Sequence, residues 1–168
     1  SFIFMGVSGS GKSAVAESVA KRMDVPFLDG DFLHPRSNIN KMGSGHPLND
    51  EDREPWLETL NSVIYAMQHT HKVSILVCSA LKRKYRDMLR KDNKGLYFIY
   101  LKGDFNLIAE RLQKRKGHFF KLDMLESQFE ALEEPLNNHN DIYEIQINQP
   151  LDKVIDEALN LIHKILNE

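Results

Sequence analysis

Short apolar runs alternate along the chain with longer amphipathic stretches, and no segment repeats or falls to low complexity. Phe2 to Met5 reads as a buried strand that ends at Gly6, and Lys12 to Met23 carries Ala14, Val15, Val19 and Ala20 at near-helical spacing. Further strands are expected at Val25 to Leu28, Val73 to Cys78, Leu96 to Leu101 and Ile142 to Ile147. Between them, Trp56, Leu57, Leu60, Val63, Ile64 and Met67 form a broad helical stripe. Leu151, Val154, Ile155, Ala158, Leu159 and Ile162 form another, with Pro150 suited to a helix's first turn. Helices are also expected over Lys82 to Lys91, Phe105 to Arg115 and Met124 to Leu132. Strands alternating with helices predict an α/β sandwich of three layers, its parallel sheet covered on both faces. The connections from Gly30 to Asp52 and from Lys114 to Asp123 are long and polar, the sort of loop in which substrate handling resides.

Composition narrows the class. The 168 residues fit one domain of roughly 150. Lys plus Arg is 22 against 24 Asp plus Glu, so the chain lacks the overall basic footprint of a nucleic-acid binder, and no nucleic-acid partner is expected. The lone Cys78 excludes an internal disulfide and fits a reducing, cytoplasmic setting. No apolar run approaches the ~20 residues of a membrane span, and Ser1 to Met5 is too short for a signal sequence. With no initiator Met, the sequence is expected to begin slightly inside its gene product.

Gly6, Val7, Ser8, Gly9, Ser10, Gly11, Lys12 and Ser13 match G-x-x-x-x-G-K-[ST] at every fixed position, between a strand and a helix. Glycines let successive N–H groups point into one concavity, and the helix dipole adds to that field. Lys12 is placed to reach the β- and γ-phosphates, and the Ser13 hydroxyl to ligate Mg2+. A nucleoside triphosphate is therefore the expected ligand. A guanine-reading Asn-Lys-x-Asp segment is missing, since Asn93-Lys94 runs into Gly95-Leu96.

Val73 to Cys78 ends without the carboxylate that holds Mg2+ in many P-loop ATPases, which turns attention to Asp29 and Asp31. Both stand where the second strand ends, at the edge of a parallel sheet that faces the ligand crevice. Asp29 could hold a metal-bound water and Asp31 could orient or deprotonate an acceptor hydroxyl, although Asp29-Gly30 also reads as a plain turn. Arg111, Lys114, Arg115, Lys116, His118 and Lys121 make a basic segment that suits a lid over the phosphates, or a solvated helix face. Arg111 and Arg115 are an i, i+4 pair.

Several blocks together resemble bacterial gluconokinase: Met5 to Ser13, Leu28 to Pro35, Asn38 to Met42 and Pro47 to Leu57. So do Val77 to Lys82 with Tyr85 and Arg86, Gly117 to Phe120, Ser127 to Phe129, and Leu132 to Pro135. The resemblance implies a P-loop fold of the nucleoside-monophosphate-kinase type. It implies ATP-dependent phosphorylation of the 6-hydroxyl of D-gluconate, and a homodimer. On that basis residues 1–168 are one kinase domain, with a substrate-binding insertion over 30–70 and a lid over 112–124.

Gluconate is an open-chain polyol with a carboxylate remote from the reacting hydroxyl. Arg53 offers a fork for the carboxylate, or is a surface helix residue among Asp50, Glu51, Asp52 and Glu54. Asp31, His34, Lys41 and Gln128 offer donors and acceptors for hydroxyls, with Lys82 and His118 as further candidates. His34 also reads as a residue that stabilises the turn before Pro35, and Trp56 as core. In this reading Lys12, Asp31, Arg111 and Arg115 carry catalysis, the two arginines also hold the nucleotide, and Ser13 with Asp29 serve the metal. A kinase of another small metabolite such as shikimate remains open, as does a nucleotide-binding switch module without catalysis.

Overall fold

The computed structural model describes residues 1–114, 122–135 and 140–168. Five parallel strands form one sheet: β1 (Phe2–Met5), β2 (Phe27–Asp29), β3 (Ile75–Val77), β4 (Tyr97–Lys102) and β5 (Ile142–Gln146), in the order β2-β3-β1-β4-β5. In the central strand, Phe4 pairs with Val77 on one side and Ile99 on the other. The helices are α1 (Lys12–Met23), α2 (Arg36–Gly43), α3 (Asp50–Thr70), α4 (Arg83–Arg90), α5 (Phe105–Gln113), α6 (Leu122–Ala131) and α7 (Leu151–Leu166).

The alternation of β1 builds the layers. Phe2 and Phe4 pack with Val15 and Val19 of α1, Ile108 of α5, and Ile155 and Ile162 of α7. Ile3 and Met5 point the other way, into Trp56, Leu57, Leu60 and Ile64 of α3 and Tyr85 and Leu89 of α4. A strand buried on both faces has no polar side to show, which is why its sequence reads as a continuous apolar run.

Three expectations need correction. The polar stretch from Gly30 to Asp52 is not an open loop: it contains a 3-10 turn (Gly30–Leu33) and α2. Helix α3 starts at Asp50, a turn and a half before the apolar stripe, because Asn49 and Asp52 form a reciprocal capping box. β2 and β3 are also shorter than the apolar runs that announced them.

From β1 the chain crosses to one edge for β2 and β3, then to the other for β4 and β5. The carboxyl end of β1 therefore lies where the winding reverses, the position at which open parallel sheets bind ligands. Gly30 is fixed beside it, because a Cβ there would sit 2.5 Å from the Val77 carbonyl oxygen.

Candidate active site

The loop after β1 is shaped by three glycines with positive φ: Gly6 at 148°, Gly9 at 80° and Gly11 at 89°. The Gly6 amide donates to the Ser79 carbonyl at 3.2 Å, tying the loop to the end of β3. Gly11 caps α1 in the left-handed conformation, and neither a side-chain cap nor an acidic residue occupies the first turn. The amides there and the positive end of the helix remain oriented for an anion. Lys12 Nζ lies 3.5 Å from the Val7 carbonyl oxygen, and its charge is felt by Asp31.

Asp29 and Asp31 come together with Ser13 as the sequence leads one to expect. Asp29 Oδ1 accepts from the Asp31 amide at 3.0 Å, and Asp29 Oδ2 from the Ser13 hydroxyl at 3.4 Å. The pair of oxygens fits a hard cation such as Mg2+, which binds through a few protein oxygens, phosphates and waters. Among the described residues no three His, Cys, Asp or Glu side chains cluster so as to hold a metal ion by themselves. The Asp31 carboxyl is open to solvent on one side, yet burial of the rest raises its proton affinity, opposed by Lys12 and reinforced by Asp29.

The residues expected to bind the acceptor are carried by the turn after β2, by α2 and by the start of α3. His34 stacks on Trp56 with ring centroids 4.1 Å apart, and Trp56 Nε1 donates to the Gly30 carbonyl at 2.8 Å. Trp56 is core, as the helical stripe implies, and it orients His34 rather than the ligand. Asn38 Nδ2 donates to His34 Nδ1 at 3.2 Å and to the Asp52 carbonyl at 2.8 Å. An amide nitrogen only donates, so Nδ1 accepts and the His34 proton sits on Nε2. Burial, followed by Asp31 and Arg53 acting in opposite directions, lowers the His34 pKa, which keeps the ring neutral near pH 7.

The remaining expected residues are placed less uniformly. Lys41 is ion-paired with Asp52 at 2.5 Å and closes α2 onto α3. Arg53 donates through Nη1 to the Leu48 carbonyl at 2.8 Å and the Tyr85 hydroxyl at 3.3 Å. Lys82 pairs with Asp50 at 3.2 Å. Gln128 lies on the P-loop: its Oε1 accepts from the Ser8 amide at 2.7 Å and its Nε2 donates to the Ser8 hydroxyl at 2.9 Å. Arg111 donates to the Ile147 carbonyl at 2.5 Å. It lines a cleft of about 280 Å³ with Gly11, Val15, Gln149 and Leu151. Arg115 and His118 lie outside the described residues, as does most of the lid segment. The Cys78 thiol is pushed up to about 12 by complete burial, so it is no nucleophile.

Sequence reasoning missed Asn38, Asp50 and Tyr85. Asn38 is only 3% exposed, a burial that no local pattern in a polar stretch announces. Asp50 and Tyr85 meet across 35 residues of chain, and no local pattern announces that.

The family model described as shikimate kinase matches residues 8–166. The thermoresistant gluconokinase of Escherichia coli K12 is 58% identical over 163 residues, covering 97% of this chain and 93% of that protein. The thermosensitive gluconokinase of the same strain is 48% identical, covering 94% of this chain and 84% of that protein. A crystal structure of a gluconokinase from Sinorhizobium meliloti 1021 superimposes with a TM-score of 0.86 at 41% identity, covering 98% of this chain and 92% of that one.

Proposed function

The chain belongs to the gluconokinase family and, more broadly, to the shikimate kinase family whose model it matches; on that premise we propose that it transfers the γ-phosphoryl group of ATP to the 6-hydroxyl of D-gluconate. The observation that carries this reading is the juxtaposition of Ser13, Asp29 and Asp31 at one sheet edge, where Asp29 accepts hydrogen bonds from both and the Lys12 charge acts on Asp31.

In this reading the cradle from Gly6 to Ser13 holds the phosphates, and the cleft beside Arg111 takes the adenine. Mg2+, held by Ser13 and through water by Asp29, would neutralise phosphate charge. Lys12 stabilises charge on the transferring group, with Arg111 and Arg115 as further cations. Asp31 accepts the hydrogen bond of the acceptor hydroxyl and aims its oxygen in line. Phosphoryl transfer depends mainly on such positioning and charge stabilisation. The His34 Nε2–H donates to a hydroxyl along the chain, and Arg53 meets the carboxylate. Gln128 acts through Ser8 and not on the polyol. The same reading takes residues 30–70 as the acceptor insertion and 112–124 as the lid of one kinase domain. It places the enzyme in the cytoplasm as a homodimer, with the family resemblance as its support. Among the described residues, no helix is long and apolar enough to cross a membrane.

The test is ADP release from Mg·ATP with D-gluconate, shikimate, gulonate, glucose or no acceptor. Turnover that depends on gluconate supports the reading. Turnover with another acceptor alone leaves a P-loop kinase of different specificity, and nucleotide binding without any acceptor-dependent ADP release favours a switch module.

A further inference from the structure

The reading above has Arg53 meet the acceptor carboxylate, and the inference here rests on it. An arginine side chain is long and flexible, so a fork that must be ready for a carboxylate needs its freedom removed beforehand. Arg53 is held by two oxygens, the Leu48 carbonyl and the Tyr85 hydroxyl, and its guanidinium carbon lies 5.5 Å from the centre of the Tyr85 ring. Both bonds use Nη1, which leaves the other edge of the guanidinium for a bidentate ligand.

The charges around it are arranged unexpectedly. Asp50 stands in the same cluster, yet its carboxylate takes its ion pairs from Lys82 and Lys84. Among the described residues Arg53 makes no ion pair; both of its partners are neutral oxygens. The Tyr85 hydroxyl has a single proton, and it donates that proton to Asp50 Oδ1. Its lone pair is thereby turned toward Arg53. Tyr85 is 5% exposed, so ring and hydroxyl are both fixed by packing.

We infer that Tyr85 is a positioning residue for acid acceptors: its hydroxyl, oriented by Asp50, holds the Arg53 guanidinium in place without an ion pair of its own. Lys82 and Lys84 serve this by saturating Asp50, which otherwise would draw Arg53 into an internal ion pair. Recognition of the acceptor's charge then involves residues of α4 that need not touch the acceptor.

Steady-state kinetics of the whole enzyme test this. Tyr85→Phe keeps the ring and removes the hydroxyl; the expected result is a rise of about 10-fold in KM for gluconate, with KM for Mg·ATP unchanged and kcat within about 2-fold. In an Arg53→Ala background the same substitution should change KM for gluconate no further, because the group being positioned is gone. A KM unchanged by Tyr85→Phe, or raised equally in both backgrounds, overturns the inference. Asp50→Asn tests the anchor without touching the ring and should raise KM in the same direction; if Tyr85→Phe does not fold, an unchanged KM in Asp50→Asn overturns it instead. A wild-type enzyme inactive on gluconate, seen before any variant is made, overturns the functional reading and this inference with it.

Discussion

Gln128 and Ser8 lie 120 residues apart and are joined twice, with the side-chain amide of Gln128 accepting from the Ser8 backbone at 2.7 Å and donating to the Ser8 hydroxyl at 2.9 Å. An amide side chain matched to both a donor and an acceptor of one residue fixes that residue's orientation as well as its position. Helix α6 is itself anchored, since Leu125 one turn earlier is fully buried in the core and Phe129 packs edge-on against Phe105 of α5. The third residue of the phosphate cradle is thus held from outside the loop.

Gln128→Ala should accordingly act on the nucleotide. Losing both bonds leaves the half-buried Ser8 amide unpaired, at a cost of roughly 1–2 kcal/mol, and KM for Mg·ATP is expected to rise about 10-fold. KM for gluconate should stay within about 2-fold. Initial rates with each substrate varied in turn decide the matter, and a change confined to gluconate would return Gln128 to the acceptor site.

Asp31 carries an opposition between activity and stability. Burial raises its folded-state pKa above the ordinary 3.8. For an acid this means the folded state binds the proton more tightly than the unfolded state, so stability falls as pH rises from 3.8 through the folded pKa and stays lower above it. Asp31→Asn should raise Tm at pH 7, with the gain shrinking toward zero below the unfolded pKa. The same substitution should lower kcat by about 10²- to 10⁴-fold, because an amide cannot accept the hydroxyl proton. In the wild type, kcat/KM should decline on the acid side as Asp31 protonates. Thermal melts from pH 3 to 8 beside pH–rate profiles test both halves, and a variant less stable than wild type at pH 7 contradicts the first.

Gly9→Ala tests the packing above the loop. A Cβ at Gly9 would sit 2.7 Å from Leu112 Cγ, at a φ of 80° that a side chain rarely adopts. Overpacking and left-handed strain together suggest a loss of about 3 kcal/mol, or roughly 6–12 °C in Tm for a chain of this size. Adding Leu112→Ala should make the double variant less destabilised than the sum of the two single changes. Strict additivity in thermal melts would show that the clash is relieved elsewhere.

How much of this was legible in sequence depended on the range of the interaction. The loop from Gly6 to Ser13 is contiguous, and its glycines at positive φ are dictated by backbone geometry, so the motif is readable without tertiary information. Asp29 and Asp31 were placed by strand topology alone. Helix α2 escaped notice because its apolar residues do not face the core: Ile39 and Met42 are 54% and 43% exposed. It is held by Asn38 bonding His34 and Asp52, polar contacts that leave no hydrophobic period to read. The first turn of α3 was missed for a related reason, its capping box being polar. The Arg53, Tyr85 and Asp50 cluster required two helices on one face of the sheet to meet, and only the fold brings them together.

Arg86 shows the same dependence on tertiary structure, and it supports the most demanding prediction. Its side chain is 2% exposed and pairs with no carboxylate among the described residues. Instead Nη1 donates to the Ala80 and Leu81 carbonyls at 2.8 and 3.1 Å, and Nη2 to the Glu133 carbonyl at 3.0 Å. Ala80 is left-handed, with φ of 46°, a conformation costly for a residue with a Cβ. The neighbouring Ser79 carbonyl receives the Gly6 amide, so the turn Arg86 holds is the one that ties down the phosphate loop. Arg86→Met keeps much of the volume but orphans those carbonyls, and should cost about 3 kcal/mol, or roughly 6–12 °C in Tm. Arg86→Lys retains a charge without the planar fork and should recover only part of that loss. If the turn matters chiefly through the loop it supports, Arg86→Lys at a temperature where it is fully folded should still show a raised KM for Mg·ATP. Melting curves with ATP titrations separate the two effects. A lysine variant with wild-type Tm and KM would show that any buried cation suffices, and that the fork geometry of Arg86 contributes nothing.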